Sequence, residues 1–511
     1  MARQITTILR TLGVGLAALT LSASFGSAQV AAGASASVTG PFWTALTNQP
    51  TFGAGLPLVL TDGRLLVQDK GNSTWHIFTP DVNGSYVNGT WGASSTLPVI
   101  GGVQYAPLYF ASAVLSNGKV IIQGGEYNSF SIDFNNNKGA IYDPVTNTWT
   151  ATTPPANGSG TADSDSVVLP NTEWMVADIF NTQSAVLNPS NLSWFYVTGH
   201  GKTDRNDEEG WTLLPDGSLL TVDAINAPHA ERFIPYQWIS AGTIPVRLED
   251  PNSEEIGPAV LRYDGTVFAT GACDAGSADT TCVTPGHTAI YTPPQTQMGT
   301  GSWVAGPDFP NGLDIADGPA SILINGNVLV CTSPGIFNPG VQFFEFDGTN
   351  LNPAPDVPNA PNEASYVGRL LVLPTGQIWF DDGSMDVEIY TPAGTYQSAW
   401  QPTISSVPTT LKHGSNNYKI VGTQLNGLSQ GAAYGDDVQM ATNYPLVRIT
   451  NNATGHVFYC KTRNFSTMGV ATGATPVSAY FEVPATIELG ASSLVVVANG
   501  IPSNPVAVTV N

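Results

Sequence analysis

Charged residues are scarce in this chain of 511 residues, and basic residues are the scarcest of them. Only 11% of the residues are charged, and 17 lysines and arginines stand against 39 aspartates and glutamates, which gives a net charge of -22. Such a surface would repel a phosphate backbone, because nucleic acids are bound through clustered basic residues. We therefore expect no nucleic-acid partner.

Cysteine and histidine are also few, with four and six residues. Cys273 and Cys282 lie in one polar loop, and we expect a disulfide between them because the N-terminus predicts export to an oxidising compartment. Cys331 and Cys460 lie in apolar strands, where we expect buried thiols. The histidines are scattered without an H-x-x-x-H spacing, and no G-x-S-x-G occurs, so neither a histidine-based metal site nor a serine nucleophile is indicated.

Long apolar runs are missing after the N-terminus. Arg3 and Arg10 precede a short apolar run, residues 12–21, which is followed by the small residues Gly26 and Ala28. This pattern is typical of a secretory signal peptide, which we predict over residues 1–28, and the run is shorter than the roughly 20 residues that span a bilayer. We expect a secreted, periplasmic or cell-surface protein without a membrane span.

Glycine and proline are abundant, with 53 and 38 residues, which favours a turn-rich all-β fold. One unit recurs: an apolar residue, usually aromatic, then x-Pro, then a tryptophan. The first copy is Phe78-Thr79-Pro80 with Trp91, and the seventh is Tyr390-Thr391-Pro392 with Trp400, at a mean period of 52 residues. Kelch-type propeller blades repeat at about 50 residues.

A second marker gives the same count. Seven hairpin turns, each between two apolar runs, predict pairs of buried strands. They are Asp62-Gly63, Asn117-Gly118, Asn171-Thr172, Asp216-Gly217, Asp264-Gly265, Asn325-Gly326 and Thr375-Gly376. We predict a seven-bladed kelch-type β-propeller over residues 40–402, with residues 40–44 pairing with the last repeat. Residues 403–511 lack the repeated unit and carry alternating strands, which predicts a C-terminal immunoglobulin-like β-sandwich.

A signal peptide, such a propeller and a C-terminal sandwich of the early-set, immunoglobulin-like class together resemble the galactose oxidase superfamily of secreted copper radical oxidases. Two strings add to the likeness: LLVLPTG after Tyr366 is similar to the strand that carries a Tyr-His pair in that family, and LVVVANGIPSNPVAVTV is similar to its C-terminal strands. Kelch repeats alone say little about chemistry.

The resemblance implies a copper site of two tyrosines and two histidines, with a cysteine cross-linked to one tyrosine. By alignment, Tyr142 takes the place of the first tyrosine and Tyr109 that of the cysteine. The pair Tyr366-Val367 lacks the first histidine, and Thr442-Asn443 lacks the second. Copper(II) prefers nitrogen and oxygen ligands in a tetragonal arrangement, so we expect neither copper nor radical oxidation here.

Acidic residues precede the first predicted strand of five successive repeats. The first strand of each propeller blade lines the central channel, so these residues are expected at one mouth. Crowded carboxylates repel one another unless something cationic joins them, which makes a Ca²⁺ ion or a cationic ligand a candidate; alternatively, they only accept hydrogen bonds from turn N–H groups. The candidate ligand-binding residues are Asp163, Asp165, Asp207, Glu208, Glu209, Glu254, Glu255, Asp314, Asp317 and Glu363, with Tyr366 as an aromatic neighbour.

The function predicted from these features is non-catalytic recognition of an extracellular glycan or protein. The alternative is a carbohydrate-active enzyme that uses two acids at the channel mouth as acid and base, without a copper radical centre. A third possibility is an adhesion module. The sequence identifies no catalytic residue.

Overall fold

Nearly all regular structure in this protein is antiparallel β-sheet. The computed structural model describes residues 40–155, 160–274, 284–437 and 440–511, so the predicted signal peptide and Cys282 of the predicted disulfide lie outside the described residues. None of the helices in the described ranges is long and apolar enough to cross a membrane. They are single turns of 3₁₀ helix at Pro310–Gly312, Ala360–Asn362, Ser365–Val367 and Ser398–Trp400.

Seven antiparallel sheets follow one another through the described part of residues 42–391. Strand β1 (Phe42–Ala45) precedes them. Sheet 1 consists of β2 (Ala54–Val59), β3 (Leu65–Asp69), β4 (Thr74–Thr79) and β5 (Thr90–Thr96). A small hairpin, β6 (Val99–Ile100) and β7 (Val103–Gln104), leads to the next sheet.

Sheets 2 and 3 repeat this arrangement, and sheet 2 carries a side hairpin. The side hairpin is built from β8 (Pro107–Leu108), β11 (Tyr127–Asn128) and β12 (Ser131–Ile132). Sheet 2 consists of β9 (Ala111–Val114), β10 (Val120–Gln123), β13 (Gly139–Asp143) and β14 (Thr148–Ala151). Sheet 3 consists of β15 (Ser166–Val168), β16 (Trp174–Ala177), β17 (Ser184–Asn188) and β18 (Ser193–Val197).

Sheets 4 to 7 complete the series. Sheet 4 consists of β19 (Thr212–Leu213), β20 (Leu219–Val222), β21 (His229–Ile234) and β22 (Gln237–Thr243). Sheet 5 consists of β23 (Ala259–Leu261), β24 (Val267–Thr270), β25 (Thr288–Thr292) and β26 (Ser302–Ala305). Sheet 6 contains β27 (Ala320–Ile322), β28 (Val328–Thr332), β29 (Gln342–Phe346) and β30 (Leu351–Pro353). Sheet 7 contains β31 (Arg369–Val372), β32 (Ile378–Asp381) and β33 (Val387–Thr391).

The repeated tryptophan pairs two strands of one sheet and also ties neighbouring sheets together. Tyr142 lies opposite Trp149 across β13 and β14, and Tyr291 lies opposite Trp303 across β25 and β26. Such cross-strand aromatic pairs stabilise a sheet because the two rings pack on the same face. Trp194 of sheet 3 also donates its indole N–H to the Thr153 carbonyl, just after sheet 2, at 2.7 Å.

The first strands of five neighbouring pairs of sheets contact each other, and one of these pairs joins the last sheet to the first. Contacts join β9 to β15, β19 to β23, β23 to β27 and β27 to β31, and β31 contacts β2 of the first sheet. Strand β1 pairs with β33, which confirms the predicted pairing of the N-terminal segment with the last repeat. Every residue of β2, β9, β15 and β31 is buried. The chain therefore has a β-propeller type of fold.

Residues 403–511 form one nine-stranded sheet, which we call the C-terminal sheet. Eight of its strands lie side by side in the order β34, β36, β40, β39, β38, β41, β43 and β35. The ninth strand, β42, pairs with β41. Their bounds are β34 (Thr403–Ser406), β35 (Thr410–Leu411), β36 (Tyr418–Thr423), β38 (Leu446–Asn451), β39 (Val457–Arg463), β40 (Val477–Glu482), β41 (Gly490–Ala498), β42 (Ile501–Pro502) and β43 (Val506–Val510).

One loop of the C-terminal region enters the ring of sheets. We call residues 430–437 the channel loop; it contains β37 (Ala432–Ala433), which pairs with the first strand of sheet 6. The Gln430 side-chain oxygen accepts a hydrogen bond from the Leu213 N–H of sheet 4 at 2.7 Å. The Tyr434 hydroxyl donates to the Tyr366 carbonyl at 2.7 Å. The channel loop thus brings C-terminal residues to the starts of the first strands.

Candidate functional site

A pocket of about 620 Å³ opens where the first strands begin, and we call it the mouth pocket. Two kinds of side chain dominate its lining: carboxylates and aromatic rings. The carboxylates are Glu126, Asp163, Glu208, Glu255 and Asp317, and the rings are Tyr109, Tyr127, Phe130, Phe337 and Tyr366. Lys70 is the only basic residue among the described lining residues.

Four of the five pocket carboxylates come from successive sheets because each of the four lies in the loop that leads into a first strand. Asp163 precedes β15, Glu208 precedes β19, Glu255 precedes β23 and Asp317 precedes β27. Four neighbouring sheets thus supply one pocket carboxylate each. Tyr366, which precedes β31 of the next sheet, adds an aromatic ring.

The other acidic member of each predicted pair does not line the mouth pocket. Asp165 is buried and accepts hydrogen bonds from the backbone N–H groups of Ser166 and Trp211. Asp314 is buried and accepts from the Cys273 N–H at 3.0 Å. These two carboxylates hold loop backbones in place, which is the alternative role that the sequence left open.

The remaining predicted acids are held by basic or amide groups outside the pocket lining. Glu254 and Asp207 both form ion pairs with Arg205, at 2.5 and 3.0 Å. Glu363 accepts a hydrogen bond from the Asn359 side chain at 2.7 Å. Glu209 lies in a separate buried cluster described below. The sequence predicted one site for all ten of these acids, whereas six of them do not line the pocket.

Backbone conformation accounts for part of this selection. Glu208 has a φ of 59° and Asp317 a φ of 43°, both in the left-handed region that residues with a side chain seldom adopt. Residues held in this region are frequent at functional sites, where the surrounding structure maintains the strain. A left-handed φ alone does not select the pocket acids, because Glu254 has a φ of 70° and pairs with Arg205 outside the lining.

Sequence reasoning missed Glu126, although the motif that places it is visible. Glu126 follows Gly124-Gly125 at the end of β10, and Gly124 has a φ of 83°. A Cβ on Gly124 would overlap the Thr161 carbonyl, so only glycine allows the chain to pass this close to residues 161–162. The glycine pair therefore brings Glu126 beside Asp163.

Asp436 was also missed, because it lies in the C-terminal region and reaches the site through the channel loop. Gly435 packs against the backbone and carboxylate of Asp317, where a Cβ would overlap the carboxylate. One Asp436 carboxylate oxygen lies within 4.8 Å of one from Asp163 and one from Glu208. A site of this kind, assembled from residues more than 200 positions apart, leaves no local signal in the sequence.

Burial and mutual repulsion raise the pKa values of the acids in this site. Burial, followed by the charges of Asp436 and Asp437, raises the pKa of Asp163 well above its usual range. Burial and the nearby Glu255 charge do the same to the pKa of Glu208. Burial raises the pKa of Asp317 to about 6 against the opposing effect of Arg369. A carboxylate cluster without compensating cations behaves in this way.

Two basic groups lie near the acids but are engaged elsewhere. The Arg369 guanidinium donates to the carbonyls of Tyr366 and Gly368 at 2.8 and 2.7 Å and stacks 3.9 Å from the centre of the Tyr434 ring. Burial and the Arg369 charge lower the pKa of Lys70 to about 8. Among the ion pairs of the described residues, none involves Asp163, Glu208, Glu255, Asp317 or Asp436.

A second buried carboxylate cluster, which we call the Lys202 cluster, is compensated internally. The Lys202 ammonium lies 2.6 Å from Asp204, 2.8 Å from Glu209 and 3.0 Å from Glu231, and its side chain is fully buried. These three charges, led by Glu209, outweigh the desolvation of Lys202 and raise its pKa. The Lys202 cluster is therefore an ion network of the sheet interior.

The residues at the positions of the family's copper ligands do not fit a copper radical centre. Tyr142 is fully buried inside sheet 2, where its hydroxyl donates to Asn147, and does not line the mouth pocket. The Asn443 amide donates to the Met468 carbonyl at 2.6 Å, and Val367 offers no donor atom. No imidazole or thiol is found among the described residues that line the mouth pocket.

Comparison with solved structures shows the fold of this chain. A fungal alcohol oxidase with catalytic diversity among the AA5 family, in complex with copper, matches with a TM-score of 0.50 at 14% identity, over 92% of this chain and 99% of that one. The chain thus has a galactose oxidase-like β fold. Similarity at this level of identity extends to the fold alone.

Two further solved structures match with lower TM-scores. A streptogramin B lyase matches with a TM-score of 0.45 at 10% identity, over 68% of this chain and 97% of that one. The extracellular domain of a proposed one component system from B. thetaiotaomicron matches with a TM-score of 0.44 at 12% identity, over 93% of this chain and 58% of that one. No protein-family model and no curated protein matches the sequence.

Proposed function

We propose that this chain is an exported, seven-bladed kelch-type propeller with a C-terminal sandwich, and that it binds an extracellular glycan in the mouth pocket. The seven successive sheets, and the contact between the first strands of the last sheet and the first, support the blade count. Contact between β34 and β41, which four strands separate in the C-terminal sheet, supports a sheet folded onto itself as a sandwich.

The observation that carries the binding proposal is the composition of the mouth pocket. Aromatic rings form its walls: Phe337 contacts Tyr366 edge to face with ring centres 5.2 Å apart, and Tyr109 contacts Tyr127 in the same way at 6.0 Å. Phe130 is 62% exposed at its rim. Flat rings pack against the apolar faces of sugar rings, while carboxylates accept hydrogen bonds from sugar hydroxyls.

Pocket size favours a glycan over a protein surface as the ligand. Small-molecule sites are typically clefts of about 300–1,000 Å³ with apolar walls and a few convergent polar groups, whereas protein interfaces are broad and nearly flat. A pocket of about 620 Å³ belongs to the first class. We therefore expect a short glycan, or the end of a longer one, to enter it.

A glycan-array screen of the purified chain, with and without Ca²⁺, tests the proposal, and F130A is the informative variant. Loss of one stacking ring is worth about 0.5–1.5 kcal/mol, which corresponds to a roughly 2- to 13-fold rise in Kd for the selected glycan. The matched control is F134A, because Phe134 is 47% exposed and does not line the pocket. Equal affinity of F130A and the wild type, or binding only to protein ligands, would contradict glycan binding in this pocket.

A second candidate function is a carbohydrate-active enzyme, and one residue favours it. Burial, followed by the Asp317 charge, raises the pKa of Glu126 to about 7, the range in which a carboxyl group serves as a general acid at neutral pH. Product analysis of the glycans that bind tests this alternative. Release of shortened or unsaturated sugars that E126Q abolishes, while E126Q still binds, would establish catalysis.

A further inference from the structure

The acids of the mouth pocket form two overlapping triads. Asp163, Glu208 and Asp436 make one triad, and Glu208, Glu255 and Asp317 make the other. Within each triad, one carboxylate oxygen per residue lies within 4.8 Å of the others. Glu208 belongs to both triads, so its two oxygens can serve both groups.

Asp436 provides an independent indication that the acids of this site bind a ligand. Its side chain is only 2% exposed, and its Oδ2 atom accepts no hydrogen bond from the described residues. A buried carboxylate oxygen without a donor is strongly unfavourable, so native structures pair such groups or coordinate a metal with them. The Asp163 Oδ1 atom also lacks a donor within the described chain, and Glu255 and Asp317 can satisfy each other only by sharing a proton between their carboxyl groups.

The Lys202 cluster shows how the same chain compensates buried carboxylates when it supplies its own cation. There, one ammonium group contacts three carboxylates. Neither Lys70 nor Arg369 pairs with the two triads in this way, although Arg369 lies close by and Lys70 lines the pocket. Among the described residues, no ammonium or guanidinium group compensates the two triads in the way that Lys202 compensates its own cluster.

We propose that Asp163, Glu208, Glu255, Asp317 and Asp436 bind two hard divalent cations of the Ca²⁺ class, with Glu208 as the shared ligand. The channel loop brings one of the five ligands from the C-terminal region, so the site is complete only when that loop lies in the ring.

The donor set and its spacing determine this choice of cation. All five side chains offer carboxylate oxygens, which suit Ca²⁺, Mg²⁺ and Mn²⁺ and not the softer transition metals. Two oxygens on one Ca²⁺ lie at most about 5.2 Å apart, since Ca–O distances reach about 2.6 Å, and for Mg²⁺ the limit is about 4.2 Å. The spacing within 4.8 Å is therefore compatible with one Ca²⁺ per triad.

Charge balance also favours two ions. The five carboxylates carry a formal charge of -5, which two divalent cations reduce to -1. Glu126 and Asp437 add negative charge around the site, while Lys70 and Arg369 add positive charge. One divalent ion alone would leave three carboxylate charges uncompensated among the five.

Isothermal titration of the metal-free purified protein with Ca²⁺ at physiological ionic strength tests the site, with Mg²⁺ and Mn²⁺ as comparisons. We expect two Ca²⁺ per chain, with a Kd of about 10⁻³ M or lower, the weak end of extracellular Ca²⁺ modules. D436N should leave one Ca²⁺ per chain, whereas E208Q should weaken both ions by at least about 10-fold, since losing a ligand costs no less than losing an outer-shell partner. The matched control is E254Q, adjacent to Glu255 but paired with Arg205, which should bind two.

A thermal measurement separates loss of the site from loss of the fold. In chelator, E208Q and D436N should melt at or above the wild-type temperature, because each removes one carboxylate from a repelling cluster. Added Ca²⁺ should raise the melting temperature of the wild type well beyond that of E208Q.

The proposal is wrong if the wild type binds none of the three cations at about 5 mM, several times the weakest Kd expected for such sites. It is also wrong if one Ca²⁺ saturates the chain, or if D436N still binds two. None of these outcomes depends on whether a glycan binds.

Discussion

Replacing Lys202 by methionine tests how this fold tolerates buried carboxylates. The Lys202 ammonium is the cation nearest to Asp204, Glu209 and Glu231, whose side chains are between 0% and 4% exposed. Methionine fills a similar volume but removes the charge and leaves three buried carboxylates facing one another. Removing one partner of a buried ion pair typically costs about 3–5 kcal/mol, and this cluster should lie at the upper end of that range.

Urea unfolding followed by tryptophan fluorescence at pH 7 measures the cost. A free energy of unfolding lowered by about 4–5 kcal/mol would be a large share of the 5–15 kcal/mol typical of native domains. Lys138→Met is the matched control, because Lys138 forms one partly exposed ion pair with Asp133 at 3.2 Å. A pair of that kind is worth at most about 1 kcal/mol.

The stability cost of K202M should also depend on pH, in a direction that follows from the pKa values of the neighbouring acids. Burial raises the pKa of Asp223, which adjoins this cluster, to about 8, and it raises that of Glu209 well above its usual range, while Lys202 holds both down. A carboxyl group whose pKa is raised on folding favours the folded state at low pH, and this contribution is lost as pH rises through the folded-state pKa. Without Lys202 these pKa values rise further, so the cost of K202M should grow between pH 5 and pH 8. A cost below about 1 kcal/mol, or one equal at both pH values, would refute this reasoning.

Three further outcomes are expected. G435A should weaken Ca²⁺ binding, because a Cβ there would displace the channel loop and Asp436, and unchanged binding would contradict the insertion of this loop. The control is G92A, where a Cβ would meet only an ordinary contact at 3.6 Å. W194F should lower the free energy of unfolding by about 1 kcal/mol in urea, because it loses a hydrogen bond between neighbouring sheets, and no change would contradict that contact. Cys331 and Cys460, both fully buried, should resist thiol reagents until the chain unfolds. In denaturant, two reactive thiols without reductant and four with it would support the predicted disulfide, whereas four in both cases would contradict it.

The sequence predicted the all-β class correctly, and in five copies of the repeating unit the tryptophan lies opposite the unit's first residue, because both features depend on local physics. In the last copy the prediction was wrong: Trp43, and not Trp400, lies opposite Tyr390. A hairpin turn between two apolar runs determines two adjacent strands, whichever fold surrounds them. Trp149, opposite Tyr142, shows why an aromatic residue and a tryptophan recur together. The predicted buried thiols, Cys331 and Cys460, are confirmed for the same reason, since each lies in a strand whose interior face is apolar.

The arrangement of the C-terminal strands was less accessible from the sequence. Alternating strands after residue 403 were predicted and are observed, but their joining into one nine-stranded sheet depends on long-range pairing. Strand β35 even pairs in parallel with β43, almost 100 residues later. Alternation along a strand determines which side chains face inward and not which strand lies alongside it.

What the sequence determined by itself is that acids cluster before the first strands of neighbouring repeats, since that follows from the repeat and from residue order. Only the tertiary structure decided which of them share a pocket. Backbone turns direct Glu208 to the mouth pocket and Glu209 to Lys202, although the two are adjacent in sequence. The channel loop then adds Asp436 from the other end of the chain. A carboxylate site depends on distances of a few ångströms between side chains, and only the folded chain fixes those distances.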